Sequence, residues 1–313
     1  MYLKLFVILY ADGTVLMAET PEGLQHALSV FQNYCRSWKL TINVQKTKVV
    51  IFEKRDRRQQ YVFKLNEENI EVQNSYSYLG ILFDSNGTFS RAKTKITEQA
   101  KKALYALNKK IRNIPLSVDL QLKLFDSLVS PILLYACEIL GFKNTTTIER
   151  MHLQFCKRIM NVKNSTPNYM IYGETGRYPL EIEIKTRMIM FWFKLLTGGS
   201  KISSLIYKMT YVSQLIEQMH FKWNNYIKDI LNKLGFSNLW IFPNTCTMNR
   251  NYFKAVVKQR LKDQFIQKWF QEIENSSRGK FYSIFKTNFQ YESYLTKLNE
   301  KDRKLFVNSA CLN

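Results

Sequence analysis

Leu5-Phe-Val-Ile-Leu-Tyr10, then Ala11-Asp12-Gly13, then Thr14-Val-Leu-Met17 is the stretch whose reading decides the fold. The first run has strand length and is rich in β-branched and aromatic residues. Asp-Gly is a strong hairpin signal, because a type I′ turn needs positive φ and glycine supplies it without steric cost. The pattern predicts a tight hairpin of two buried strands that displays one carboxylate, Asp12, at its tip. A carboxylate on a rigid tip is suited to holding a divalent cation. Asp12-Gly13 also reads as turn chemistry alone, and both readings stand at this point. Met1, the single Lys4 and the apolar run outline a secretory signal peptide as well, but Ala11-Asp12-Gly13 makes a poor cleavage site.

Around this hairpin, 313 residues suffice for one large or two ordinary domains. A content of 46% hydrophobic and 14% aromatic residues fills a sizeable core and argues against wholesale disorder. The net charge of +21 favours a polyanionic partner, with nucleic acid ahead of an anionic membrane surface. No apolar stretch approaches the roughly 18 residues that a membrane span needs. Cys35, Cys137, Cys156, Cys246 and Cys311 are odd in number and scattered, without C-x-x-C spacing or a matching histidine cluster. That pattern argues against zinc and against a disulfide framework. It fits an intracellular home, nucleus or cytoplasm, and not secretion. His26, His152 and His220 lie far apart and read as ordinary helix residues.

Downstream, Thr20 caps a helix, Pro21 fits its first turn and Glu22 suits the positive end of its dipole. Leu24, Leu28, Phe31, Cys35 and Trp38 form one apolar face, expected to pack on the hairpin's sheet. Residues 47–52, 61–65 and 70–72 read as strands, and 53–60 as a charged loop. Residues 76–83 read as a strand with an internal Gly80, which marks a bulge or a close backbone approach. Asp84-Ser-Asn-Gly87 closes this α+β stretch with a polar turn.

Tyr10-Ala11-Asp12-Gly13 followed by Thr-Val-Leu-Met resembles the Tyr-Ala-Asp-Asp signature of reverse transcriptases, with Gly13 in place of the second Asp. The helix at 22–38, Leu40-Thr-Ile-Asn43 and Lys46-Thr47-Lys48 resemble the next palm motif of the non-LTR retrotransposon (LINE-type) enzymes. Tyr78-Leu79-Gly80 resembles the primer-grip hairpin that ends the palm. The ordered set is specific, whereas any single motif is weak. Tyr172-Gly-Glu-Thr-Gly176, Pro179 and the Phe-Trp-Phe run at 191–193 extend a looser likeness into the carboxy-terminal part of these polyproteins.

The resemblance implies a polymerase chemistry in which two metal ions, Mg2+ in this family, stabilise the attacking and leaving oxygens. Asp12 matches the metal-binding aspartate. Lys46 matches the lysine proposed to protonate pyrophosphate, with Lys48 a competitor for that role or both lysines merely solvated. Tyr78 and Gly80 are implied to lie against primer backbone. The fingers and the upstream catalytic aspartate of the family have no counterpart in this sequence, and one aspartate makes a weak magnesium site. The expectation is therefore a truncated fragment or remnant of an RNA-directed DNA polymerase that does not polymerise alone. RNA template and DNA primer are its implied partners, together with the missing upstream part of the polyprotein; a membrane is not.

Past residue 89 helices take over. The segment 89–113 carries Ile96, Ala100, Ala103, Leu104, Leu107 and Ile111 on one face. Its other face carries Arg91, Lys93, Lys95, Lys101, Lys102, Lys109, Lys110 and Arg112, opposed by Glu98 alone. So one-sided a helix reads as an electrostatic track for phosphates, or as a solubilising face. By resemblance it is the thumb, which grips the template–primer duplex. Helices are predicted over 118–128 (capped by Ser117), 132–140, 148–159, 181–196, 201–218, 220–234, 251–275 and 291–297, with Thr166-Pro167 starting another. Thr197-Gly-Gly-Ser200 is a breaker, and Phe242-Pro243-Asn244 is a loop. The organisation expected is α+β: a partial palm of antiparallel strands plus one helix at 1–88, a basic helical thumb and connection at 89–197, and a helical region at 198–313. The rival reading is a non-catalytic RNA- or DNA-binding helical protein that reuses the thumb.

Overall fold

β1 (Val7–Tyr10) and β2 (Gly13–Leu16) form the predicted antiparallel hairpin, with Tyr10 opposite Gly13 and Val7 opposite Leu16. The computed structural model describes residues 7–52, 61–141, 145–198, 200–216, 221–242, 248–277, 279–299 and 302. Lys4 to Phe6, the loop 53–60, Gly199, His220, Pro243, Asn244, Cys246 and Cys311 lie outside the described residues. The fold is α+β.

The hairpin departs from expectation in two ways. Its loop residues are Ala11 and Asp12, and Ala11 carries the positive φ of 50°, as in a type II′ turn. Gly13 is a strand residue. The second departure is burial: all of β1 is exposed and β2 is half-buried. Among the described residues β1 pairs with β2 alone, and a two-stranded ribbon has too little partner surface to bury its apolar side chains.

α1 (Pro21–Ser37) starts as predicted: the Thr20 hydroxyl accepts from Gly23 N at 3.0 Å, with Pro21 in the first turn. Its apolar face packs mainly on a different sheet from the one expected. β3 (Lys48–Val49), β4 (Phe63–Leu65) and β5 (Glu68–Val72) form a sheet in the order β3-β5-β4. Leu28 buries against Val49, Phe63, Leu65 and Ile70, while Leu16 and Leu24 join at the edge. Each such side chain contributes about 2 kcal/mol of transfer free energy. Gln25 closes the open edge of β4, since its amide donates to Lys64 O and accepts from Lys64 N, both at 2.9 Å. Trp38 is exposed rather than part of this face, because it is the helix cap and Lys39 leaves at φ 55°. The expected antiparallel character holds for β4–β5, but β3 pairs with β5 in parallel.

The segment read as one strand with an internal glycine is a hairpin. β6 (Ser75–Tyr78) pairs with β7 (Ile81–Asp84) around Leu79-Gly80, both at positive φ (48° and 78°), the signature of a type I′ turn. Leucine is not one of the usual turn formers, so Leu79-Gly80 carries no strong turn signal in the sequence. Leucine in this conformation costs about 1 kcal/mol. Leu79→Asn is expected to raise stability by about that amount, read as a higher urea midpoint at unchanged m. No gain would show that Leu79 recovers the cost through its own contacts.

The chain divides into two compact units, Met1–Lys95 and Ile96–Asn313, and the division falls inside α2 (Ser90–Ile111). The second unit is helical: α3 (Val118–Leu128), α4 (Ser130–Leu133), α5 (Cys137–Leu140), α6 (Thr146–Met160), α7 (Asn168–Thr175), α8 (Leu180–Thr197), α9 (Lys201–Ile216), α10 (Lys222–Lys233), α11 (Ser237–Ile241), α12 (Arg250–Glu274), α13 (Gly279–Phe285) and α14 (Tyr294–Lys297). Ser117 caps α3 as predicted. The helix expected over 132–140 is two short pieces, broken where Ala136 takes φ 50°. Thr166 is buried and caps nothing; α7 starts after Pro167. α8 is the buried centre that its composition implied, with Ile184, Met188, Ile189 and Trp192 fully enclosed. Phe193 stacks on Phe253 of α12 at 4.8 Å, and Trp192 donates to Tyr207 OH of α9 at 2.8 Å. Among the described residues no helix is long and apolar enough to cross a membrane.

The Tyr172–Gly176 motif is the hub of this unit. Glu174, buried, accepts from the hydroxyls of Tyr282 (2.8 Å) and Tyr294, and burial pushes its carboxyl above the usual carboxylate range. Gly173 lets Trp269 and Tyr282 close on the helix, and Gly176 ends α7 at φ 58° against the backbone of Gln290 and Tyr291. His152 is not an ordinary helix residue. It is fully buried, stacks on Phe125, and its Nε2 accepts from Arg177 Nε at 2.9 Å, while Arg177 also grips Asp126.

Candidate nucleic-acid interface

Two hairpins that are distant in sequence meet in the first unit. A Cβ at Gly13 would lie 3.4 Å from Tyr78 Cε2 and 3.3 Å from the Tyr10 carbonyl oxygen. Gly13 and Tyr78 are therefore neighbours: the Tyr78 ring lies at ordinary van der Waals distance from the spot where a side chain at position 13 would begin. The Tyr78 hydroxyl is buried and has no hydrogen-bond partner among the described residues, an arrangement that costs about 1–3 kcal/mol.

Lys46 connects to the same neighbourhood through its backbone. Its N–H donates to Asn43 Oδ1 at 3.0 Å, and its carbonyl accepts from Tyr76 OH at 3.4 Å. Its side chain is exposed. Lys48, in contrast, is committed: Nζ lies 2.7 Å from Glu71, and hydrogen bonds from Lys48 and Gln73 hold that carboxyl below its ordinary range. Of the two lysines, Lys46 is the one whose side chain reaches solvent without an ion pair.

Asp12 stands exposed at the tip of its hairpin. Among the described residues no group of three or more His, Cys, Asp or Glu side chains comes together as a metal site. A hard divalent cation takes six or more oxygen ligands, usually with several from carboxylates, so Asp12 by itself does not make such a centre.

The basic residues of α2 separate into two sets. Arg91 donates to Asp84 at 3.0 Å and Ser75 at 3.3 Å, and Lys95 donates to Ser77 at 3.1 Å. These two clamp the β6–β7 hairpin. Lys93 is half-buried, which lowers its pKa. Lys101, Lys102, Lys109, Lys110 and Arg112 all face solvent. Ala100, Leu107 and Ile111 bury the opposite side, as the periodicity predicted. Tyr105, 73% exposed, stands among these cations, with Lys101 and Lys109 one turn away on either side. Sequence reasoning passed over it, although exposed aromatics interleaved with lysines are what nucleobases stack on.

A family model described as reverse transcriptase (RNA-dependent DNA polymerase) matches residues 1–83, the stretch that brings these two hairpins together. Over that stretch the chain is similar to the reverse transcriptases. It is 28% identical over 169 residues to the RNA-directed DNA polymerase from mobile element jockey of Drosophila melanogaster, covering 51% of this chain and 18% of that protein. The jockey protein of Drosophila funebris is 26% identical over 175 residues, or 53% of this chain and 19% of that protein. The probable RNA-directed DNA polymerase from transposon X-element of D. melanogaster is 26% identical over 137 residues, 42% of this chain and 15% of that protein. The chain thus spans under a fifth of the length of these curated relatives. All three come from non-LTR mobile elements. No solved structure matches.

Proposed function

We propose that this chain is the palm-to-thumb and connection part of a non-LTR RNA-directed DNA polymerase, and that by itself it holds nucleic acid without extending it. The observation that carries the reading is the contact of Tyr78 with Gly13, which joins the signature hairpin to the primer-grip-like hairpin within a family-matched segment. In this reading the exposed end of α2 grips the template–primer backbone, and Tyr78 and Gly80 bear on the primer strand. Arg91 and Lys95 hold the grip hairpin in place. Asp12 would supply one carboxylate to a magnesium centre and does not make such a centre by itself.

A primer-extension assay tests it. The chain alone and its Asp12→Ala variant are both expected to retain primer–template binding and to give no extension product. Extension by the unmutated chain, abolished in the variant, would overturn the reading. The rival, a helical binding protein that has no use for the palm, predicts that a Tyr78→Ala change leaves primer–template affinity untouched; the palm reading predicts a loss of several-fold.

A further inference from the structure

α12 carries a feature that the palm and thumb do not account for. The Asn249 side chain caps it, accepting from Asn251 N at 2.8 Å. From there Phe253, Val257 and Leu261 recur every fourth residue and are buried. Arg250, Lys254, Lys258 and Lys262 recur with the same period. At 3.6 residues per turn the cationic row runs about 60° away from the buried one, along the rim where α12 meets its neighbours. Four cations at successive turns span about 18 Å.

This spacing works against the helix. Like charges at i,i+4 destabilise rather than support it, and the row contains three such pairs. Two of the four are compensated. Lys258 lies 3.2 Å from Glu183 of α8, and Lys262 sits 4.8 Å above the Tyr178 ring. Burial works against the charge of Glu183, yet the Arg187 hydrogen bond and the Lys258 charge hold its carboxyl below the usual range. Arg250 and Lys254 are exposed and make no ion pair among the described residues. The compensated end leads into a cavity of about 380 Å3 lined by Lys258, Lys262, Arg177, Tyr178, Asp126 and Glu183. Asp126 is taken by Arg177, and Glu183 by Arg187 and Lys258, so the acids there are already matched.

We infer that the Arg250–Lys254–Lys258–Lys262 row is a second polyanion track, which holds the phosphodiester backbone of a single nucleic-acid strand and leads its end into the cavity at Lys258 and Lys262. A single strand fits better than a duplex, because the row borders a cleft between helices and the cavity has nucleotide dimensions, at the small end of ligand pockets. The inference goes beyond the palm and thumb reading and does not depend on it.

The test uses the full chain and fluorescence anisotropy of a labelled single-stranded oligonucleotide. It is run both in the natural background and in one where Lys101, Lys102, Lys109 and Lys110 are reversed to Glu. In the reversed background strand binding is expected to persist. Arg250→Gln with Lys254→Gln is expected to weaken it about tenfold at physiological salt and to flatten its salt slope by about 1.4. Glutamine is a good helix former and both sites are exposed, so the melting profile is expected to stay put. Strand affinity unchanged by the Gln pair overturns the inference, as does equal capture of polyglutamate lost in the same variant, which would mark an acidic-protein surface. If the reversed background binds no strand while the natural chain does, only α2 binds, and the palm and thumb reading survives alone. A chain that binds neither strand nor duplex sinks both.

Discussion

Reversing Lys101, Lys102, Lys109 and Lys110 to Glu is expected to lower primer–template duplex affinity about a thousandfold at physiological salt. All four face solvent from one stretch of α2. Each phosphate contact releases about 0.9 of a counterion, so losing four flattens the slope of log K against log salt by about 3.6. Extrapolated from ~0.15 M to ~1 M, where the electrostatic contribution vanishes, that slope amounts to about three decades of affinity. Because Ala100, Leu107 and Ile111 stay buried on the other face, the fold is expected to survive. A melting curve recorded beside the binding isotherm checks this. Reversing Arg91 and Lys95 should behave differently: these side chains hold Asp84, Ser75 and Ser77, so stability suffers first. If the four-lysine variant binds duplex like the natural chain, α2 is a solubilising face and the duplex sits elsewhere.

The second large effect is on stability. Gly176→Ala is expected to destabilise the second unit by about 2–5 kcal/mol. Part of this is conformational, because alanine at φ 58° pays about 1–2 kcal/mol that glycine does not. The rest is steric. The new methyl group would lie 2.4 Å from Tyr291 N and 2.8 Å from Gln290 C, both backbone atoms, which no rotamer change can move. To relieve the clash, the segment that pairs Thr175 with Tyr291 and donates Glu292 N–H to Glu174 O at 3.0 Å would have to lift away. With it would go the contacts that bring Tyr282 and Tyr294 to the buried Glu174 carboxylate. In a unit of this size a loss of that order lowers Tm by about 10 °C. Calorimetry reads the shift, and limited proteolysis should show early cleavage near residue 290. A Tm within a degree or two of the natural chain would mean that the 290–294 segment shifts at little cost and that the motif is not the hub.

What was legible in the sequence was whatever a short window encodes. The hairpin at the start, the capped helix α1, the start of α3 and the buried α8 all followed from local signals: a turn dipeptide, an N-cap, an apolar period. The likeness to reverse transcriptases was equally legible, because it rests on short strings in a fixed order. The misses share a cause. Asp12-Gly13 looks like the turn, yet Ala11-Asp12 is; Gly13 sits beside a ring sixty-five residues away in sequence, which no window contains. Leu79-Gly80 was hidden because leucine is not a usual turn residue, and only the strand pairing on either side makes it one. Trp38 read as core because periodicity continues past the point where a cap ends the helix.

The same divide runs through the candidate interface. By itself the amino-acid order determined which helix face of α2 is cationic, because a 3.6-residue period fixes that without any neighbour. It also determined that α12 carries four cations one turn apart. Only the tertiary structure decided which of those charges are free. Arg91 and Lys95 of α2, and Lys258 and Lys262 of α12, find partners on other elements, whereas Lys101, Lys102, Lys109, Lys110, Arg112, Arg250 and Lys254 face water. Periodicity sets the direction of a side chain about its own helix axis. What waits at its tip depends on packing between segments far apart in the chain, and that is settled only when the chain folds.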